Sequence, residues 1–348
     1  MKKTFLTTLA LGLLSVMICS CSSKGNSELS GSGATFPEPF YNLIFNKYQQ
    51  SSGNLVSYSG VGSGTGIRNL KDKVVDFAGS DAFLSDEEMK DMDAVVHVPT
   101  CMGAVVLAFK LNGINDIRLS GEVIADIYDG KITKWDDKRI QDLNPTLSLP
   151  NKDIIPVYRA DGSGTTFVFT SYLSSVSQSW KEKYGAGKSV DFAVGQAGKG
   201  NPGVAGLVSQ TEGAIGYVGS EYAFAQKINY ATLQNSNGEF VKPNKESISL
   251  AAAGDIPQDT RVMIVNSNVK GAYPIALFTW LVVYKEQSYD NRTEEQAKAV
   301  VDLLQYILGT QAQALTTSVN YAPLPQKAID ISLNNIKQIT YKGKPILK

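Results

Sequence analysis

Residues 158–167 read YRADGSGTTF, lying between the apolar run that ends at Tyr158 and a second apolar run, FVFTSYL, that starts at Phe167. The first run, Ile154 to Tyr158, has the length and content of a short buried strand, and the residues after Gly164 have a helical pattern. The stretch is therefore a strand–glycine turn–helix junction carrying an arginine and an acid. Two others share its chemistry: GSGATF (31–36) and GVGSGTG (60–66) also precede helical segments, and the latter follows a strand as well. Glycine lets the backbone approach a ligand closely, and the first N–H groups of a helix have no partner inside it. An anion placed there receives those donors and the favourable end of the helix dipole. A single such cluster reads as a turn. Three of them before helices, one bearing Arg159, read as a site that can hold a dianion without a basic surface.

Working outward, strands and helices alternate. Leu55–Tyr58, Ala104–Phe109, Ile154–Tyr158, Ala214–Val218, Val262–Val265 and Trp280–Tyr284 are expected as short buried strands. Pro37 opens a helix with Phe40, Ile44 and Tyr48 at a spacing of four. Asn201-Pro202 starts another, stopped by Gly213. Thr293 and Gln296 form a capping box for a helix presenting Ala299, Leu303 and Ile307 inward, with Gly309 past its end. This alternation predicts α/β layers with mainly parallel sheets, in which ligands sit at the carboxyl ends of strands.

The amino terminus is a secretory signal in pattern: MKK, then an apolar stretch from Phe5 to Ile18 that falls short of the ~20 residues of a spanning helix. Ile18-Cys19-Ser20-Cys21 is similar to a lipoprotein lipobox, with Cys21 as the lipid-bearing first residue. Residues 1–20 are then signal and 21–28 a polar tether, with an uncleaved anchor as the alternative. Either way the remainder lies outside the cytoplasm. The mature 328 residues retain one further cysteine, Cys101, so no internal disulfide forms, and the length suits two domains. Thirty-one basic residues face 33 acidic ones, which speaks against a nucleic-acid binder.

Other chemistries fit poorly. No glycine loop has the lysine of a nucleotide P-loop or the GxGxxG spacing of a dinucleotide site. Asp161 stands where a nucleophile elbow needs glycine before Ser163. The one histidine, His97 in AVVHVPT, reads as a strand residue rather than a catalyst, so a serine triad or histidine-based metal site is hard to assemble.

GSGATFPEPFY (31–41), GVGSGTG (60–66), VDFAGSDAFLS (75–85), GKITKWDD (130–137), YRADGSGTTFVFTSYL (158–173), GKGNPGV (198–204) and GAIGYV (213–218) together resemble the phosphate-binding proteins of bacterial phosphate ABC transporters. The likeness extends from about residue 29 to YAPLP (321–325). The resemblance implies a class II periplasmic binding protein: two α/β lobes joined by two crossing strands, with phosphate in the cleft between them. Lobe 1 would comprise 29–108 plus 281–348 and lobe 2 109–280, with crossings near Ala104–Lys110 and Thr279–Lys285. It also implies phosphate contacts at Thr35, Phe36 (through its backbone N–H), Ser63, Asp81, Arg159, Ser163, Gly164 and Thr165. Gly64 departs from the family, where a second serine is frequent. The expected protein is a monomeric lipoprotein without cofactor or metal, delivering phosphate to transporter membrane subunits.

The chemistry of these residues suits that role. Arg159 offers a planar fork to two oxygens, and Asp161 can orient it. Asp81 fits an anion that carries a proton, because a carboxylate accepts the hydroxyl of HPO₄²⁻ and repels fully ionised sulfate. Two alternatives stay open: a carrier of another oxyanion such as sulfate or molybdate, and a phosphomonoesterase with Ser163 as nucleophile.

Overall fold

The computed structural model describes residues 27–347. Its centre is one eight-stranded sheet of β1 (Glu28–Gly33), β2 (Leu55–Gly60), β3 (Phe77–Ser80), β4 (Val95–Phe109), β5 (Ile155–Arg159), β6 (Gln196–Gly198), β7 (Ala214–Gly219) and β8 (Ala276–Tyr284), in the order β2-β1-β3-β8-β4-β7-β5-β6. The flanks are parallel: β1 pairs with β2 and β3 on one side, β5 with β6 and β7 on the other. The middle is antiparallel, so the expectation of mainly parallel sheets holds only outside the two long strands. β4 explains this. Its first part pairs with β8 and its last part, Val105–Phe109, with β7, so one fifteen-residue strand serves both flanks.

Helices cover the faces because each carries an apolar stripe. α1 (Glu38–Ser52) buries Tyr41 and Phe45 as well as Phe40, Ile44 and Tyr48. Tyr41 and Phe45 meet Tyr58 and Phe77 of the sheet edge-on at 4.9–6.3 Å, and those two sheet rings stack on each other at 6.4 Å. Each such burial contributes roughly 1.5–3 kcal/mol. Gly53, at φ 82°, ends α1 in the left-handed conformation. α2 (Ser63–Lys71) and the short α3 (Asp86–Lys90) follow β2 and β3, while α4 (Gly164–Val176) and α5 (Gly200–Gln210) follow β5 and β6. α6 (Glu294–Leu308) has the expected Thr293–Gln296 capping box and buries Ala299, Leu303 and Ile307.

Two readings are corrected. Val262–Val265 is not a strand; it is an irregular segment between Thr260 and Asn266, both at positive φ (61° and 52°), which turn the backbone away from any ladder. Its apolar residues still pack, with Ile264 buried. β1 and β3 were not foreseen, because ELSGSG and FAGS are too small and glycine-rich to look like strands. Cys101 is free and buried. Cys21 and the signal segment lie outside the described residues.

Candidate anion-binding site

The carboxyl ends of β1, β2, β3, β5 and β6 converge, and the chain leaves each through one of the glycine-rich or small-residue loops. Thr35 and Phe36 follow β1, Ser63 follows β2, Asp81 follows β3, and Arg159 ends β5. Ser63 begins α2 behind Gly62, whose φ of 93° and close approach to Asp161 exclude a side chain: a Cβ there would stand 2.3 Å from Asp161 Oδ2. Ser163 caps α4, its Oγ accepting the Thr166 N–H at 3.1 Å.

The structure gathers the eight contact candidates and the partly buried Asp161 at one place, and all but Phe36 are linked through hydrogen bonds into one network. Thr35, Phe36, Ser63, Asp81, Ser163 and Thr165 are nearly or wholly shielded from solvent, and Arg159 is 6% exposed. Thr165 is its hub: its hydroxyl donates to Asp81 Oδ2 at 3.1 Å and accepts from Arg159 Nη1 at 3.3 Å. The Gly164 N–H donates to Ser63 Oγ at 3.1 Å, which also accepts the Asp81 N–H at 3.4 Å. That approach is possible because position 164 lacks a side chain; a Cβ would fall 2.5 Å from Ser63 Oγ and 2.8 Å from Asp81 Cβ. Gly64 plays the same part nearby, its N–H donating to the Gly162 carbonyl at 2.9 Å. Phe36 is held through its carbonyl by the Tyr321 hydroxyl and its ring edge.

The electrostatics are set by three groups. Arg159 grips Asp161 with two parallel bonds, Nε to Oδ1 at 2.8 Å and Nη2 to Oδ2 at 2.5 Å, leaving Nη1 directed to Thr165. Burial works to raise the Asp161 carboxyl, but the hydrogen bonds and charge of Arg159 prevail and hold it below its ordinary value. Asp81 behaves oppositely. Complete burial raises it to about 7, against the lowering effects of the Thr279 hydrogen bond, the Arg159 charge and Thr165. With two acids and one guanidinium, attraction for an anion rests on dipoles and N–H groups rather than on net positive charge.

Several participants escaped the sequence reading. Asn201 is fully buried at the start of α5; its backbone N–H and Nδ2 both donate to Thr35 Oγ1 at 3.0 Å, and Nδ2 also reaches Thr165 Oγ1 at 3.3 Å. Thr279 donates to Asp81 Oδ1 at 2.9 Å. It stands at a register shift in the β8–β4 ladder, an irregularity of the kind that re-aims a side chain. Tyr217 accepts the Arg159 N–H at 3.0 Å. The signals were slight: a polar residue beside Gly200, a lone hydroxyl in ALFTWLVVY, and a tyrosine in an apolar strand.

His97 is elsewhere. Its Nε2 accepts the Leu84 N–H at 3.1 Å, and burial drives its pKa down to about 3, so it is a neutral structural acceptor.

Comparison with known proteins follows the same line. The PBP superfamily domain model matches residues 21–309. The phosphate-binding protein PstS of Pasteurella multocida is 39% identical over 306 residues, covering 86% of this chain and 87% of its own length. PstS of Haemophilus influenzae is 37% identical, with 94% and 96% covered, and PstS of Methanocaldococcus jannaschii 35% identical, with 93% and 92% covered. Among solved structures, the phosphate-binding protein from Stenotrophomonas maltophilia superposes with a TM-score of 0.68 at 21% identity, covering 89% of this chain and 94% of that one. An ABC-type phosphate transport receptor from Vibrio cholerae gives 0.55 at 19% identity, with 85% and 100% covered. These two share the fold.

Proposed function

This chain belongs to the phosphate-binding proteins of the PBP superfamily, and from that premise we propose that it captures inorganic phosphate outside the cytoplasm and hands it to a phosphate ABC transporter. It is a binding protein and not an enzyme. The observation that carries the reading is the pairing of a buried acid with a buried arginine fork around one hydroxyl, Asp81–Thr165–Arg159. Arg159, the Gly164 and Phe36 N–H groups, and the hydroxyls of Thr35, Ser63, Ser163 and Thr165 offer donors to phosphate oxygens. Asp81 offers the acceptor for the one oxygen that carries a proton. A buried acceptor left facing a bare sulfate oxygen is costly, which is how such a site selects phosphate.

The alternatives lose support at named atoms. A sulfate or molybdate carrier gains nothing from the Asp81 carboxylate. In a phosphomonoesterase Ser163 would need an activating base, and its Oγ instead serves the Thr166 N–H while His97 sits at Leu84.

Two finer features complete the proposal. Residues 29–108 plus 281–348 form one lobe and 109–280 the other, with β4 and β8 as the crossing strands. In support, Thr35, Ser63 and Asp81 stand on one flank of the sheet and Arg159, Ser163, Gly164 and Thr165 on the other, so an anion bridging them favours the closed arrangement. The mature chain is tethered to a membrane through lipid on Cys21; support for this is the sequence alone. Small-angle scattering across a phosphate titration tests binding and closure together. The radius of gyration should fall and level off at one equivalent. Superimposable curves with and without saturating phosphate would contradict the reading.

A further inference from the structure

We propose that Lys188 and Glu88 form a latch across the mouth of the cleft, outside the anion site, that sets how slowly phosphate leaves. The inference rests on the binding reading above. Lys188 Nζ lies 2.5 Å from Glu88 Oε1. Glu88 belongs to α3, after β3, whereas Lys188 lies in the segment leading to β6, so the bond joins the two flanks of the sheet. Neither side chain is a member of the network around Asp81 and Arg159.

Three observations set this pair apart from an ordinary surface contact. First, Glu88 is oriented before Lys188 arrives: its Oε2 accepts the Ser85 N–H at 2.9 Å, and the Ser85 Oγ accepts the Glu88 N–H at 3.1 Å. One carboxylate oxygen caps the helix and the other is left for the ammonium group, so little side-chain entropy is lost on pairing. Second, the Lys188 end of the pair is sheltered, its side chain 19% exposed, while Glu88 is 44% exposed. Burial works to raise the Glu88 carboxyl, yet its bonds to Lys188 and Ser85 hold it below its ordinary value. Third, the backbone of Lys188 reaches the site itself, because its carbonyl accepts the Ser163 N–H at 2.8 Å. Whatever moves Lys188 therefore pulls on the cap of α4. An apolar contact spans the same two flanks, with Phe83 meeting Phe167 edge-on at 6.1 Å. Separation of the flanks must break both, so the latch acts on the opening step and hence on release.

The test uses the full chain and its Lys188→Met, Glu88→Gln and double variants. Lys188→Met keeps the carbonyl that holds Ser163, and Glu88→Gln keeps an oxygen for the Ser85 N–H. Phosphate release is followed by stopped flow, with association rate and thermal midpoint of the phosphate-free protein measured alongside. Each single variant should release phosphate about 1.5- to 5-fold faster at low salt. The double variant should be no faster than the singles, and the difference from wild type should vanish near 1 M salt, where screening reaches a few ångströms. The association rate and phosphate-free midpoint should stay at wild-type values, which a merely structural pair would not spare. Normal phosphate binding with unaltered release in every variant overturns the latch alone, as does a double variant whose acceleration equals the product of the singles. A wild-type protein that binds no phosphate overturns the binding reading and the latch with it.

Discussion

Thr165 donates its hydroxyl hydrogen to Asp81 at 3.1 Å, joining the first turn of the helix after β5 to the residue that follows β3. These two residues stand 84 apart in sequence and on opposite flanks of the sheet. Thr279 supplies a second hydroxyl to the other carboxylate oxygen, from one of the two central strands. Asp81 is thus a buried acid that meets hydroxyls on both oxygens and reads the charge of Arg159 through Thr165. The consequences can be measured.

The first concerns pH. Burial raises the Asp81 carboxyl from 3.8 to about 7, so the folded protein with its two flanks together holds this proton more firmly than the unfolded chain. The associated stability is fully present below the unfolded value and is lost as pH rises through the folded one. Asp81→Asn removes this dependence. The variant should melt above wild type near pH 8, with the gap shrinking steadily as the pH approaches 4. Parallel melting curves for the two proteins over that range would show that Asp81 ionises freely.

Gly164→Ala tests the close approach of the two flanks. The added methyl group would lie 2.5 Å from Ser63 Oγ and 2.8 Å from the Asp81 backbone nitrogen, which is fixed at the end of β3. Overpacking of this kind costs about 1–3 kcal/mol, or roughly five- to 150-fold in phosphate affinity. Each flank alone is unaffected, so the phosphate-free melting midpoint should stay near wild type. Full affinity in this variant would mean that the loops do not close as described.

Arg159→Ala should weaken phosphate and sulfate alike, because the guanidinium meets oxygens common to both. Each charge-assisted bond lost is worth about 1.5–3 kcal/mol. Asp161→Asn should have a smaller effect in the same direction, since Arg159 keeps its charge and loses part of its alignment. Competition binding with both anions checks this; a loss confined to one anion would remove Arg159 from the shared contacts.

Cys21→Ser should leave the chain unprocessed or free of the membrane fraction. Labelling with a fatty acid that persists in the variant would move the lipid to another residue.

The arrangement was legible where its grammar is local. Strand, small residues, glycine and helix follow one another within ten residues at Arg159–Thr165, and Pro37, Gly309 and the Thr293–Gln296 box mark helix ends by their own chemistry. It was illegible where a residue's partner is remote. Asn201 reads as a helix starter until Thr35, 166 positions away, is placed beside it. Thr279 reads as a minor polar fault in an apolar strand until the register shift points it at Asp81. Val262–Val265 misled for the opposite reason. Four apolar residues in a row record burial, and burial does not require a ladder.

The most direct measurement is calorimetric titration of wild type and Asp81→Asn with phosphate and with sulfate. Wild type should bind one phosphate per chain and prefer it over sulfate by roughly 10⁴-fold or more, the discrimination available to a buried group that pairs a ligand hydroxyl. In Asp81→Asn phosphate should change little, because lost acceptance is offset by relieved repulsion, while sulfate should gain and the ratio should collapse toward unity. A ratio of sulfate to phosphate dissociation constants that is the same in both proteins would contradict the assignment of Asp81 as the discriminator.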